Sequence, residues 1–225
     1  MAKLKLLFIG NSHTYYNDLP KITKDIFASA GIDIEVTMLT QGGKCLDYHY
    51  EQRQTRFNIL YGDYDFVILQ SKATGFDPES YLEYGKKIYD EFISKTTAKP
   101  VLYTVWSNKG KKKDQPTITK ANVELAKYMD AIVAPAGEVW QAALRCRPAP
   151  TLYREDGNHA TPTGSYLAAS TIFYAITARY RSLRIPEGGE PYTSLGIDTK
   201  TATAINVIAC RTAQAFNVKE AENNN

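Results

Sequence analysis

The sequence predicts a three-layer α/β/α fold, a parallel sheet of about five strands with helices on both faces. Three observations predict it. Short apolar β-type runs alternate with longer helical patterns along most of the chain, the order of βα units in an open parallel sheet. The runs are continuously apolar, as strands buried on both faces must be. The clearest helical patterns carry their apolar residues at three- and four-residue spacing, on one face.

Leu4–Ile9 reads as the first strand, and Leu19–Ala30 as a helix with Ile22, Ile26, Phe27 and Ala30 on one side. Ile32–Leu39 reads as the second strand. Phe66–Gln70 is the third, introduced by the turn-like run Gly62-Asp63-Tyr64-Asp65. Ser80–Ser94 is expected to be a helix with Tyr81, Tyr84, Ile88 and Phe92 inward. Pro100–Trp106 reads as the fourth strand, Thr117–Met129 as a helix, and Ala131–Ala134 as a short fifth strand. Thr161–Arg179 is the last strong helix, with Thr161 placed to cap it and Pro162 in its first turn. Thr199–Val218 looks helical, set to pack on the sheet or on a second subunit.

Composition bounds the rest. The chain has 225 residues, 44% hydrophobic and 23% charged, ordinary globular usage that excludes disordered and collagen-like classes. Its length fits one large domain over residues 1–225, with a core over about 4–180 and a helical extension over about 199–218. A net charge of +3 is too near balance to make nucleic acid or an anionic membrane the main partner. Cys45, Cys146 and Cys210 form no C-x-x-C pair, so neither a disulfide framework nor a zinc knuckle is expected. Three scattered histidines add no ligand spacing, and neither metal nor cofactor is expected. The apolar run Leu6–Ile9 is too short for a signal peptide, and Ala160–Ala178 reads as a buried helix rather than a membrane span. A cytoplasmic location is expected, and oligomeric state is not readable. The run Lys109–Gln115 is a basic loop.

In an open parallel sheet, ligands bind at the carboxyl ends of the strands. After the first strand comes Gly10-Asn11-Ser12-His13-Thr14; after the second, Thr40-Gln41-Gly42-Gly43-Lys44-Cys45; after the third, Gln70-Ser71. Glu155-Asp156-Gly157-Asn158-His159 follows the fifth strand and a helix. A serine, a glycine turn, an amide and an Asp/His pair thus fall on one rim. Each has an ordinary structural use by itself: a cap, a turn, a hydrophilic loop. Together they supply what acyl transfer needs. A serine hydroxyl requires a base to take its proton, an imidazole titrates near neutrality, and a carboxylate can fix the imidazole tautomer.

Phe8-Ile9-Gly10-Asn11-Ser12-His13-Thr14 resembles the first block of the SGNH (GDSL-like) hydrolases. Asp156-Gly157-Asn158-His159 resembles their final D-x-x-H block, and the likeness extends from about Leu4 to Tyr180. It implies a flavodoxin-like three-layer fold and a serine carboxylic-ester hydrolase with Ser12 as nucleophile, His159 as base and Asp156 as its partner. Carbohydrate O-acetyl groups are the substrate class it suggests. Two positions depart from the family pattern. Asn11 stands where Asp is usual, and no Gly-x-Asn-Asp block follows the third strand, which ends Leu69-Gln70-Ser71-Lys72. The oxyanion donors expected are the backbone N–H groups of Ser12 and Gly43, with Gly42 still open, and the Gln70 side-chain amide in place of the missing Asn. His13 is expected to pack or line the rim, His49 to be a half-buried helix residue, and Asn11 to orient the turn. The alternative is a non-catalytic carbohydrate- or acyl-binding protein on the same fold. A nucleotide or flavin binder is disfavoured because no phosphate-cradling glycine motif is present.

Overall fold

Neighbouring residues of a strand face opposite sides of its sheet, and here both sides are apolar. In the computed structural model, which describes residues 3–179 and 192–222, the strands are β1 (Leu4–Gly10), β2 (Ile34–Thr40), β3 (Phe66–Gln70), β4 (Lys99–Tyr103) and β5 (Ile132–Ala134). They form one sheet in the order β2-β1-β3-β4-β5, every pair parallel. Leu6, Phe8, Ile68, Val101 and Tyr103 point to one face; Leu7, Ile9, Leu69, Leu102 and Val133 point to the other.

The helices are α1 (Ser12–Tyr15), α2 (Leu19–Ser29), α3 (Leu46–Tyr50), α4 (Arg53–Tyr61), α5 (Pro78–Glu91), α6 (Gln115–Met129), α7 (Ala136–Ala143), α8 (Pro162–Arg179) and α9 (Thr199–Glu222). Phe27 of α2, Trp140 of α7, Phe173 of α8 and Ala209 of α9 cover the first face. Leu46 of α3, Ile59 of α4, Ile88 of α5 and Leu125 of α6 cover the second. Each of the larger of these side chains contributes about 1.5–3 kcal/mol when taken from water, which is what holds the three layers together.

Several element bounds differ from expectation. The fourth strand stops at Tyr103, and Thr104–Ser107 becomes a loop on the carboxyl rim although Val105 and Trp106 are fully buried. Asp77 caps α5 by accepting from Glu79 N and Ser80 N, so that helix opens two residues before the expected Ser80. Helix α3 holds His49 as expected and α7 is the helix expected after the fifth strand, while α4 interrupts a stretch that carried no clear periodic signal. The α9 extension packs on its own chain: Ala202, Ile205, Ala209 and Ala213 enter the same core as β1 and α8. Further along α9, the Asn217 side chain accepts from Val133 N (3.3 Å) and donates to Val133 O (3.2 Å). A side-chain amide thereby covers the outer edge of β5, which would otherwise be open to pairing. Among the described residues, no helix is long and apolar enough to cross a membrane.

Chain order reverses direction between β1 and β3, and the crevice outside the carboxyl ends of two such strands is where this topology binds ligands.

Candidate active site

Asn11 leaves β1 in extended geometry and caps α1, accepting the His13 N–H on its side-chain oxygen. Its Nδ2 donates to Lys44 O at 2.8 Å, tying the turn after β2 to the turn after β1. Gln70, at the end of β3, completes the bracket. Its Oε1 accepts from Asn11 N (3.0 Å) and Thr14 Oγ1 (2.5 Å). Its Nε2 donates to Asn11 Oδ1 (2.6 Å) and Ser71 O (2.8 Å). This corrects the expectation of an oxyanion role. Both amide hydrogens of Gln70 are committed within the protein and the residue is buried, so it builds the serine turn instead of facing a substrate. Gly10 makes room for this, since a Cβ there would lie 2.7 Å from Thr14 Oγ1 and 2.9 Å from Gln70 Cβ.

Ser12 is the first residue of α1, so its N–H falls among the helix-start amides that have no intrahelical acceptor. Its Oγ lies 2.9 Å from His159 Nε2, across 147 residues of chain. The loop that delivers His159 is organised by Asp156. One carboxylate oxygen accepts from Asn158 N and His159 N, both at 2.9 Å, and the other meets His159 Nδ1 at 2.6 Å. The three-residue spacing lets one carboxylate fold the turn and hold the ring together. The hydrogen bond to His159, then that from the Asn158 backbone, keep the Asp156 carboxyl well below the usual carboxylate range. With Nδ1–H facing a carboxylate, Nε2 is left as the acceptor toward Ser12.

Around this chain of contacts the structure adds residues that the sequence did not single out. Tyr16 stacks on the His159 ring at 4.2 Å, and the Arg154 guanidinium lies 5.2 Å from the Tyr16 centroid. Trp106 Nε1 donates to Asn158 O at 2.9 Å, pinning the loop from below. Its place after β4 was the available signal, hidden because Val105 and Trp106 read as more strand. Gly43, not Gly42, has positive φ (+70°), a conformation that favours glycine.

His13 lies with its ring edge toward Trp106. Its Nδ1 is 3.1 Å from Asn11 Oδ1, and since that oxygen only accepts, Nδ1 carries the hydrogen. Burial, reinforced by His159 nearby, pushes its pKa down to about 4. His49 is fully buried rather than half-buried, and its Nε2–H donates to Gly10 O at 2.7 Å. Burial lowers its pKa as well. Among the described residues no three His, Cys, Asp or Glu side chains cluster as metal ligands do.

No family model matches the chain, and no curated protein matches it. Solved structures do. A DUF4886 family protein from Bacteroides uniformis is 18% identical, covering 93% of this chain and 94% of its own, with a TM-score of 0.67. The acetylxylan esterase Axe2 of Geobacillus stearothermophilus is 13% identical over 82% of this chain and 97% of its own, TM-score 0.59. The psychrotrophic esterase EstA of a Pseudoalteromonas species is 12% identical over 79% of this chain and 98% of its own, TM-score 0.60. Likeness at these identities concerns the fold, which is that of the SGNH (GDSL-like) hydrolases.

Proposed function

We propose that the protein is a serine carboxylic-ester hydrolase, with Ser12 as nucleophile, His159 as general base and acid, and Asp156 as the carboxylate that orients and stabilises the imidazole. The observation that carries this reading is the unbroken series Ser12 Oγ, His159 Nε2, His159 Nδ1, Asp156 Oδ2, with gaps of 2.9 and 2.6 Å. In the resting state Ser12 Oγ–H donates to neutral His159. As Oγ attacks the ester carbonyl carbon, its proton passes to Nε2, and Asp156 stabilises the imidazolium that results. The proton then goes to the departing alkoxide, leaving an acyl group on Ser12. Water then attacks the acyl carbon as the same imidazole takes its proton, and when the bond to Oγ breaks the imidazolium returns that proton to Ser12 and the acid leaves.

Negative charge grows on the carbonyl oxygen in both halves, and donors aimed at it lower the barrier by about 2.7–4 kcal/mol each. The Ser12 and Gly43 N–H groups are the donors proposed here. The first belongs to a helix start. The second sits in a turn that Asn11 holds to the serine block through Lys44 O. Esterases among the structural neighbours, an acetylxylan esterase included, support short acyl groups on carbohydrate as the substrate class.

A series of p-nitrophenyl esters of rising acyl length, together with a fluorophosphonate probe, tests the reading. Acetate is expected to turn over fastest and the probe to label Ser12. Ser12→Ala should lose both, with turnover falling on the order of 10⁴-fold or more. A folded wild-type protein inert toward both reagents would overturn the proposal. The withdrawal of Gln70 from the oxyanion site favours one second reading, a binder without turnover. Saccharide-ester binding that is unchanged by Ser12→Ala, with no hydrolysis, would select it.

A further inference from the structure

Asp156 and Trp106 hold the shape of the loop that carries His159, but the 2.9 Å gap to Ser12 Oγ depends on how that loop sits against the serine's own segment. This segment leaves α1 through a 3₁₀ turn, Tyr16–Asp18, before α2 begins at Leu19. Asn17 (φ 56°) and Asp18 (φ 53°) are both in the left-handed region, which costs free energy for any residue but glycine and which Asn and Asp tolerate best. Asp18 has a local use for the conformation, since its side chain caps α2 by accepting from Lys21 N. The Asn17 side chain is used at a distance. Its Nδ2 donates to Ala160 O at 3.0 Å and to Ser165 Oγ at 2.8 Å. Ser165 Oγ passes its own hydrogen to Tyr16 O at 3.4 Å, closing a ring of hydrogen bonds between this turn and the first turn of α8. Ala160 directly follows His159, so the amide grips the main chain one residue from the base.

Tyr16 acts on the ring itself. The two rings are stacked, with centroids 4.2 Å apart and planes 25° from parallel, an arrangement aromatic pairs favour. Neighbours keep Tyr16 in place. Tyr15 stacks on it at 5.5 Å, and the Tyr15 hydroxyl reaches the turn after β2, where a Cβ on Gly42 would lie 3.1 Å away. Arg154 sets its guanidinium 5.2 Å from the Tyr16 centroid, while its backbone N–H donates to His159 O at 2.9 Å. The serine segment and the histidine loop thus hold each other both at the backbone and at the ring. A hydrogen bond at Nδ1 fixes one edge of the imidazole; a stacked face fixes its plane.

We infer that Tyr16 and Asn17 are positioning residues for the base: the left-handed turn after the nucleophile is a clamp that sets the plane and place of the His159 imidazole against Ser12. This deepens the esterase reading and rests on it for the role of the imidazole. Proton transfer is sensitive to such placement, since a shift of about 1 Å can cost on the order of 10²-fold in rate.

Three variants assayed on p-nitrophenyl acetate test the clamp. Asn17→Gly takes up the left-handed backbone freely and removes the amide, so its Tm should stay within about 5 °C of the wild type. Its kcat should fall about 10–100-fold with KM unchanged, the mark of an interaction realised in the transition state. Tyr16→Leu should lose about tenfold or more in kcat in the same way, and Tyr16→Phe, which keeps the aromatic face, should restore most of the loss. Wild-type kcat in a folded Asn17→Gly or Tyr16→Leu protein overturns the clamp. So does a rise in KM alone, which would put these residues on the substrate, or loss of the fold in Asn17→Gly, which would make the turn purely structural. Proton NMR of the His159 ring hydrogens, assigned by their loss in His159→Gln, needs no turnover. Stacked on Tyr16 they carry its ring-current shift, and Asn17→Gly and Tyr16→Leu should move them downfield where Tyr16→Phe does not. Those shifts in a protein that hydrolyses no ester leave the clamp standing and remove the esterase reading; hydrolysis by the wild type with no such shifts does the reverse.

Discussion

Asp156 uses one oxygen on two backbone N–H groups and the other on the imidazole, and that division says what a substitution there should do. Asp156→Asn keeps an oxygen for one set of partners but presents N–H₂ to the other. If the oxygen stays with the backbone, the His159 ring meets a donor, and the tautomer with its hydrogen on Nε2 is favoured. That tautomer cannot take the Ser12 proton. A fall in kcat on the order of 10³–10⁴-fold, with KM nearly unchanged, is the expected result in a p-nitrophenyl acetate assay. Because its folded pKa is depressed, Asp156 also favours the folded state above the ordinary carboxylate range and loses that contribution as pH falls below it. The side chain is 47% exposed, so solvent screens the effect and the catalytic loss dominates.

The element that most needs support is the junction of β1 with α1, because it must present Ser12 at a sharp change of direction. Gln70 supports it from β3 with three hydrogen bonds to Asn11 and Thr14, and spends its remaining amide hydrogen on Ser71 O. Gln70→Ala strands a buried N–H of Asn11 and the Thr14 hydroxyl, and a loss of about 2–4 kcal/mol in urea unfolding is expected. An oxyanion donor would behave differently, costing turnover while leaving stability alone, so measuring both distinguishes the roles. The sequence made the residue type and its place at a strand end visible, and not its partners, since an amide offers donors and an acceptor to whatever surrounds it. Strand β3 was legible because apolar continuity marks a buried strand. Ser12, Asp156 and His159 were singled out differently, by falling on one rim in blocks that resemble those of the SGNH hydrolases. Helix α4 was not legible because only Thr55 and Ile59 are buried along it, too few to mark a face. Helix α7 was expected after the fifth strand but without bounds, because it follows directly on β5 and its Ala and Val run continues the apolar signal without a break. The end of β4 was masked in the same way by Val105 and Trp106.

Over the whole molecule, two buried imidazoles tie stability to pH. His13 is held to a pKa of about 4 by burial and by neighbouring His159, with Asp156 and Asn158 opposing the shift, and His49 is lowered by burial against the pull of Asp47. Between the ordinary value of 6.5 and about 4, the unfolded chain takes up a proton at position 13 that the folded chain refuses. Stability therefore rises with pH across this window and falls on acidification, by about 3 kcal/mol for His13 alone. Urea midpoints measured between pH 7 and pH 4 should show this slope, and His13→Gln should flatten it. An unchanged slope in that variant would mean that the His13 ring is reached by water.

The 147 residues between the hydroxyl and its imidazole have a consequence in time. During synthesis the alcohol emerges with the first strand, whereas the group that activates it is among the last parts of the sheet-and-helix core to be made. A nascent chain halted anywhere before position 159 carries an inert serine, so on this reading hydrolysis waits until all five strands and the loop beyond them have been made.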